Sequence, residues 1–231
     1  MEGRLLRVIP FGAALILLGA TLLTVGCGSS SGRVRFVQAA TAVPTNVDLQ
    51  VDGKSVQTAI GFGQTATYRT TATGSRKFEV FASGTTSNPY ASASITVGAY
   101  TTIFAAGSFS GGIPALVPFT DDNTTPTTGN ARLRVIHMSP TTNSVDVYIV
   151  PTGNDIAGLN PQVSGLTYQN PSNYQQLSAN SYDVVLTVTN QQVILSKDTY
   201  TLTSQQVRTV VILDQPNGGG PAQQIILNDL N

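Results

Sequence analysis

The feature that most constrains this chain is an internal repeat. The segment RVRFVQAATAVPTNVDLQVDG, starting at Arg33, aligns with RLRVIHMSPTTNSVDVYIV, starting at Arg132, with one residue of slack before the Val-Asp pair. Residues 60–74 (IGFGQTATYRTTATG) align without gaps with residues 166–180 (LTYQNPSNYQQLSAN), pairing Phe62 with Tyr168, Tyr68 with Tyr174 and Gly74 with Asn180. Gly and Asn are the residues that most readily take a positive φ, so the last pairing predicts a turn between strands in both copies. Each copy also closes alike, GGIPALVPFTDDN at 111–123 and GGGPAQQIILNDLN at 218–231, a Gly and Pro turn leading to a last strand and an acidic end. A sequence that repeats in this way folds as two like units.

Within each copy the hydrophobic period is two. Apolar and polar residues alternate from Val47 to Asp52, across Phe78, Glu79 and Val80, and in the starts Arg33–Phe36 and Arg132–Val135, the signature of strands with one buried face. TVVIL (209–213) and YTTIFAAG (100–107) lack alternation and suit strands covered on both faces. After residue 32 the chain is rich in Thr, Val, Ser, Gly, Asn and Gln and carries no helical apolar stripe of useful length. The expected fold is all-β: two tandem immunoglobulin-like β-sandwich domains, 33–123 and 132–231. The linker at 124–131, polar with one Pro, is short enough to prevent free tumbling and long enough to hinge.

The N-terminus reads as an address. Arg4 and Arg7 precede an apolar run to Val25, the layout of a secretory signal. The run ends in LTVGC, which resembles the bacterial lipoprotein box, with Thr24 where that box usually has Leu. Residues 1–27 are therefore expected to be a lipoprotein signal segment ending in the box Cys, and Cys27 a lipidated first mature residue. A plain signal peptide or an uncleaved anchor is the alternative. Cys27 is the single cysteine, so the chain cannot form an internal disulfide. GSSSG, residues 28–32, is a flexible tether. The expected location is the cell envelope, extracytoplasmic and lipid-anchored, with the membrane as one partner and an envelope protein or polysaccharide as another. Charged residues make up 10% and the formal net charge is zero, which speaks against nucleic acid as a partner.

The Arg-start strands and the Val-Asp strands resemble the bacterial family known as domain of unknown function 4397, whose recurrent string is roughly R-x-x-H-A-S-P, a short loop, then V-D-V-Y-V-D-G. The second copy supplies Arg134, His137, Ser139, Pro140, Val145, Asp146, Val147 and Tyr148. The first supplies Arg35, Ala39, Val47, Asp48, Val51, Asp52 and Gly53, with Gln38 in place of the His. The resemblance implies tandem extracytoplasmic β-domains, often on surface lipoproteins, and implies no known reaction.

Residues able to do chemistry are few. His137 is the single histidine, and Ser139 follows it by two residues at a strand end, poor geometry for a nucleophile and its base. Strand parity turns Leu133, Val135 and His137 inward and Arg132 and Arg134 outward, so His137 is expected to donate to loop carbonyls near Ser139 and Pro140, as Gln38 would in the other copy. Glu79 and its counterpart Asp183 are expected on a wet strand face, paired with the outward arginines. No ligand set suits zinc or iron, and no cofactor is expected. Asp121, Asp122 and Asn123 offer oxygens for a weak calcium candidate, or an ordinary Asx turn. Tyr68, Tyr90, Tyr148, Tyr168 and Tyr174 serve either a sugar platform or cross-strand packing. By parity Asp146 and Tyr148 face solvent, and with Asp48 they are the candidate ligand-binding residues. The insertion at 151–165 has the composition of a binding loop. These features together predict a non-catalytic envelope protein for adhesion, matrix or partner binding; the alternative is a carbohydrate- or calcium-assisted ligand-binding module serving a separate envelope enzyme.

Overall fold

A computed structural model describes Gly3 and residues 30–41, 46–108 and 114–230. Cys27, the rest of the signal segment apart from Gly3, and residues 28 and 29 of the tether lie outside the described residues, as do Gly111 to Ile113 of the repeated turn. Among the described residues there is no helix, and the all-β expectation is met.

The first copy contributes β1 (Ser31–Gln38), β2 (Val47–Val51), β3 (Lys54–Ile60), β4 (Arg69–Ala72), β5 (Gly74–Ala82), β6 (Ala91–Val97), β7 (Tyr100–Ala106) and β8 (Ala115–Thr120). The second contributes β9 (Asn130–His137), β10 (Val145–Pro151), β11 (Val163–Leu166), β12 (Asn170–Pro171) and β13 (Gln175–Ser178). It continues through β14 (Asn180–Val188), β15 (Ile194–Leu202), β16 (Val207–Leu213) and β17 (Gln223–Leu230). Each copy builds two sheets. The first has β4-β1-β7-β8 and β3-β2-β5-β6; the second has β12-β9-β16-β17, with β13 also on β9, and β11-β10-β14-β15. In both copies the first strand runs parallel to the penultimate one, β1 with β7 and β9 with β16, and the other pairings are antiparallel.

Alternation places one core between the sheets of each copy. Val34, Phe36, Leu49, Phe78, Ile95 and Ile103 fill the first; Leu133, Val135, Val147, Val184, Leu186 and Ile212 fill the second. Each fully buried side chain of this size is worth about 1.5–3 kcal/mol.

The non-alternating strands reveal the larger architecture. Val37, Phe104, Ile136, Val211, Leu213 and Leu227, drawn from β1, β7, β9, β16 and β17, form a third apolar cluster, with Phe62, Val117, Phe119 and Ile225 packed on it. The outer faces of the β1 and β9 sheets are therefore pressed together, and the molecule is four sheets deep. β7 and β16 are covered on both sides because each copy covers the other. The two copies share this third core. The linker is held too: Asn123 donates to the Asp229 carbonyl at 2.8 Å and Pro126 is buried.

The turn reading is half met. Gly74 has φ 89°, a region open to glycine. Asn180 is not among the positive-φ residues; its side-chain oxygen instead accepts the Ser181 N–H at 2.8 Å. The second copy starts β14 with an Asx contact where the first uses a left-handed glycine.

Candidate functional site

The polar chemistry of the chain gathers in three places, the first of which is the junction itself. Arg35 on β1 stands opposite Thr102 on β7, and Arg134 on β9 opposite Thr209 on β16, through the parallel registers. The Arg35 Nε and Nη2 donate to Thr102 Oγ1 at 3.1 and 2.8 Å, its Nη1 to the Asn228 carbonyl at 2.9 Å, and its Nη2 to Asp229 at 2.5 Å. Arg134 repeats this in the opposite direction, on Thr209, the Thr120 carbonyl and Asp121. Each aspartate also accepts from its own copy: Asp121 from Tyr68 at 2.7 Å and Thr102 at 2.6 Å, Asp229 from Tyr174 at 3.3 Å and Thr209 at 2.5 Å. Each arginine lies over its own copy's tyrosine, 4.6 Å for Arg35 on Tyr68 and 4.8 Å for Arg134 on Tyr174. Burial and the neighbouring aspartates push both phenols upward, which fixes them as donors. Burial opposes the charge of Arg134, and Asp121, Tyr174 and Asp229 together more than offset it.

This network corrects the expectation for two sequence candidates. Arg134 does not face water; its "outward" side is the other copy. Asp121, Asp122 and Asn123 do not converge on a cation. Asp121 meets Arg134, Asp122 pairs with Arg132 at 2.9 Å and accepts the Thr124 N–H, and Asn123 reaches Asp229. Among the described residues no group of three His, Cys, Asp or Glu is placed to hold a metal.

The second place is the end of β9. His137 is fully buried. Its Nε2 is 3.1 Å from the Asn143 carbonyl and its Nδ1 accepts the Ser139 N–H at 3.3 Å, so the proton belongs on Nε2. Burial lowers its pKa and keeps it neutral. Gln38 repeats half of this on β1: its Oε1 accepts the Ala40 N–H at 3.3 Å, while its buried Nε2 has no partner among the described residues, so the donation to loop carbonyls expected of it is not met. Ser139, also buried, donates its hydroxyl to Asp214 and accepts the Thr142 N–H at 3.2 Å. The imidazole thus holds the Ser139 backbone while the hydroxyl points to a carboxylate, an arrangement that ties a loop and does not activate an oxygen nucleophile.

The third place is the outer face of the β10 sheet, where parity put Asp146 and Tyr148. Both are buried, 3% and 4% exposed. The insertion at 151–165 folds back over this face, and Ile156 packs with Tyr148, Val150 and Val185. The Asp146 carboxylate accepts the N–H groups of Gly165 at 2.7 Å and Asn190 at 2.8 Å, pinning β11, where the insertion ends, to the turn between β14 and β15. Asp48, its counterpart, accepts from Ala59, Ser83 and Gly84. Burial works against the Asp48 charge, but these donors outweigh it and lower the pKa. The Val-Asp motif is a device for fastening turns. Asp183 is buried as well, paired with Lys197 at 2.9 Å; that ammonium and the Thr199 hydroxyl hold it at about 2. Glu79 pairs with Lys77 at 2.8 Å, so lysines take the place expected of arginines. Beside the covered face remains a polar groove of about 320 Å³, edged by Asn160, Ser164, Asn190, Gln191 and Gln192, with Asp146 and Tyr148 on its wall. Tyr68 and Tyr174 belong to the junction, Tyr168 stacks edge-on near His137 at 6.4 Å, and Tyr90 packs on the first core.

The strand motifs that build these sites also decide the kinship. A family model described as domain of unknown function (DUF4397) matches residues 32–148. The chain belongs to the DUF4397 family. The match crosses the linker and so carries both Arg35 and Arg134 of the DUF4397 chain, together with Asp48, Asp121, His137 and Asp146. No curated protein matches. Among solved structures, similarity is found to the Bacillus anthracis TIE protein (11% identity, TM-score 0.27), covering 79% of this chain and 34% of that one. It is also found to a streptococcal virulence factor described as binding alpha-glucan (9%, TM-score 0.26; 76% and 92%). A third is a putative cell adhesion protein from Bacteroides fragilis (9%, TM-score 0.23; 87% and 98%). The chain spans about a third of the length of the first of these. Superpositions this loose carry no argument about ligand or partner.

Proposed function

We propose that this chain is a non-catalytic, lipid-anchored cell-envelope protein, whose paired β-units present a rigid, loop-edged surface for adhesion, matrix or partner binding. The observation that carries the reading is the use made of its buried polar groups. Arg35, Arg134, Asp121 and Asp229 join the copies, and Asp48, Asp146, His137 and Ser139 tie turns. Those residues build a stiff support, and what the support leaves to solvent is loops and clefts. The lipid on Cys27 would hold that support at a membrane, since acyl chains contribute about 0.8 kcal/mol per buried methylene.

The anchor is tested by feeding expressing cells a radioactive fatty acid. Label enters the chain and disappears in Cys27→Ala; label that persists in that variant overturns the anchor. Broad hydrolase panels should return no turnover from the purified chain, and a turnover abolished by His137→Ala would overturn the non-catalytic reading.

A carbohydrate-binding role is the second reading, favoured by the groove beside Tyr148, where Asn160, Asn190, Gln191 and Gln192 bring carboxamides that can donate to and accept from hydroxyls. A glycan array, with Asn160→Ala as the control, separates it from protein-partner binding. Melting with and without calcium tests whether the metal takes part.

A further inference from the structure

The symmetry of the junction fails at one position. Arg33 and Arg132 are the corresponding first arginines of β1 and β9. Arg132 is neutralised by Asp122, the residue after the reciprocal Asp121. The residue after the other reciprocal aspartate, Asp229, is Leu230, so the position that matches Asp122 carries no carboxylate. Among the described residues Arg33 makes no ion pair; its guanidinium is exposed, 5.8 Å from the centre of the Tyr100 ring. With the buried Arg35 it lines a cleft of about 440 Å³ that crosses the junction, lined also by Ala66 and Thr67 of the first copy and Ile226 and Asn228 of the second.

We infer that this cleft binds a carboxylate-bearing sugar, a uronic-acid residue of an acidic polysaccharide. The guanidinium fork matches a carboxylate in two-point contact. The side chains of Thr67 and Asn228 are exposed and make no hydrogen bond within the described protein, so they are available to hydroxyls. Ala66 and Ile226 give an apolar floor for the C–H face of a ring. The volume lies within the roughly 300–1,000 Å³ of small-ligand sites. A uronic-acid ring carries its carboxylate, hydroxyls and C–H face on one rigid unit, whereas an acidic peptide would have to bring backbone groups to the flanking side chains. The charge of Arg35 is already met by Asp229, which leaves Arg33 to set the preference for an anion.

The inference rests on the reading of the chain as a binding protein, which the turnover panels test separately. Its own test is calorimetric titration of the full chain in detergent micelles with tri-galacturonate and with uncharged galactotriose. The acidic trisaccharide is expected to bind at least about tenfold more tightly, the scale of one charge-assisted hydrogen bond. Arg33→Gln should remove that preference without moving the melting temperature, since the side chain is exposed, and Arg33→Lys should keep part of it. Equal affinity for the two sugars overturns the assignment, as does an unchanged preference in Arg33→Gln or the absence of measurable binding of the acidic sugar. Tri-glutamate binding as tightly as tri-galacturonate would also overturn it, in favour of an acidic peptide site.

Discussion

At the scale of single residues, the buried arginines and aspartates are the most consequential groups in the molecule. Removing one member of a fully buried ion pair strands a charge, at a cost of about 3–5 kcal/mol. Asp229→Ala should therefore lower the unfolding free energy by about that amount in a denaturant titration. The double change Arg35→Met with Asp229→Leu should recover part of it, because the Arg35 charge is no longer stranded while the Tyr174 and Thr209 hydroxyls still lose their acceptor. The neutral imidazole makes a second prediction. Burial lowers the His137 pKa below 6.5, so as pH falls through 6.5 the unfolded chain gains a proton that the native chain refuses. Stability is fullest above 6.5 and declines below it. His137→Gln copies the Gln38 arrangement and should fold normally, cost about 1 kcal/mol or less, and flatten that decline. His137→Ala leaves the Ser139 N–H without its acceptor and should cost about 1–3 kcal/mol. The parity of β9 was legible in the sequence, and so was the inward role shared by Gln38 and His137. What parity left open was the environment on the other side of the strand. Period two says which side chains share a face, not what covers that face: it turns Arg134 and Asp146 away from the core, but one lies under the other copy and one under an insertion.

At the scale of elements, the insertion at 151–165 distinguishes the copies. In the first copy β2 turns directly into β3 through Asp52 and Gly53, both at positive φ; in the second the longer connection folds back and roofs Tyr148, Val150 and Val185 with Ile156. Replacing 152–162 with an Asp-Gly turn should uncover those side chains. The expected result is a loss of about 2–5 kcal/mol, on the scale of one or two large apolar side chains returned to water, with faster hydrogen exchange confined to β10 and β14. Exchange that spreads equally through β1 and β7 would show the roof to be part of the global fold. The strands themselves were readable from alternation. The roof was not, because a Pro-, Gly- and Asn-rich segment signals a loop without saying where it lies. One signal for the junction was present all along. Arg35 and Arg134, Thr102 and Thr209, Tyr68 and Tyr174, and Asp121 and Asp229 recur in both copies, and polar side chains kept in register by a repeat mark a shared structural task.

At the scale of the whole molecule, a core made jointly by both copies predicts one unfolding event. Scanning calorimetry of the intact chain should give a single transition in which calorimetric and van't Hoff enthalpies agree. Two resolved transitions would mean the copies melt independently. The first copy expressed alone should expose Val37, Phe104, Val117 and Phe119 and become poorly soluble or self-associate, as measured by light scattering.

The reciprocity of the junction also bears on how such a chain can change over time. Each half lends an arginine and receives one, the self-complementary pattern of a two-fold dimer, here closed within a single polypeptide. In a true homodimer every substitution appears twice, so a residue improved for one task at one site is imposed on its twin. Fusion lifts that tie. The groups that hold the halves together match between the copies, while the insertion, the residue at the His137 position and the residue after each reciprocal aspartate differ. One half of such a molecule is free to acquire a specialised surface while the other keeps the pair intact.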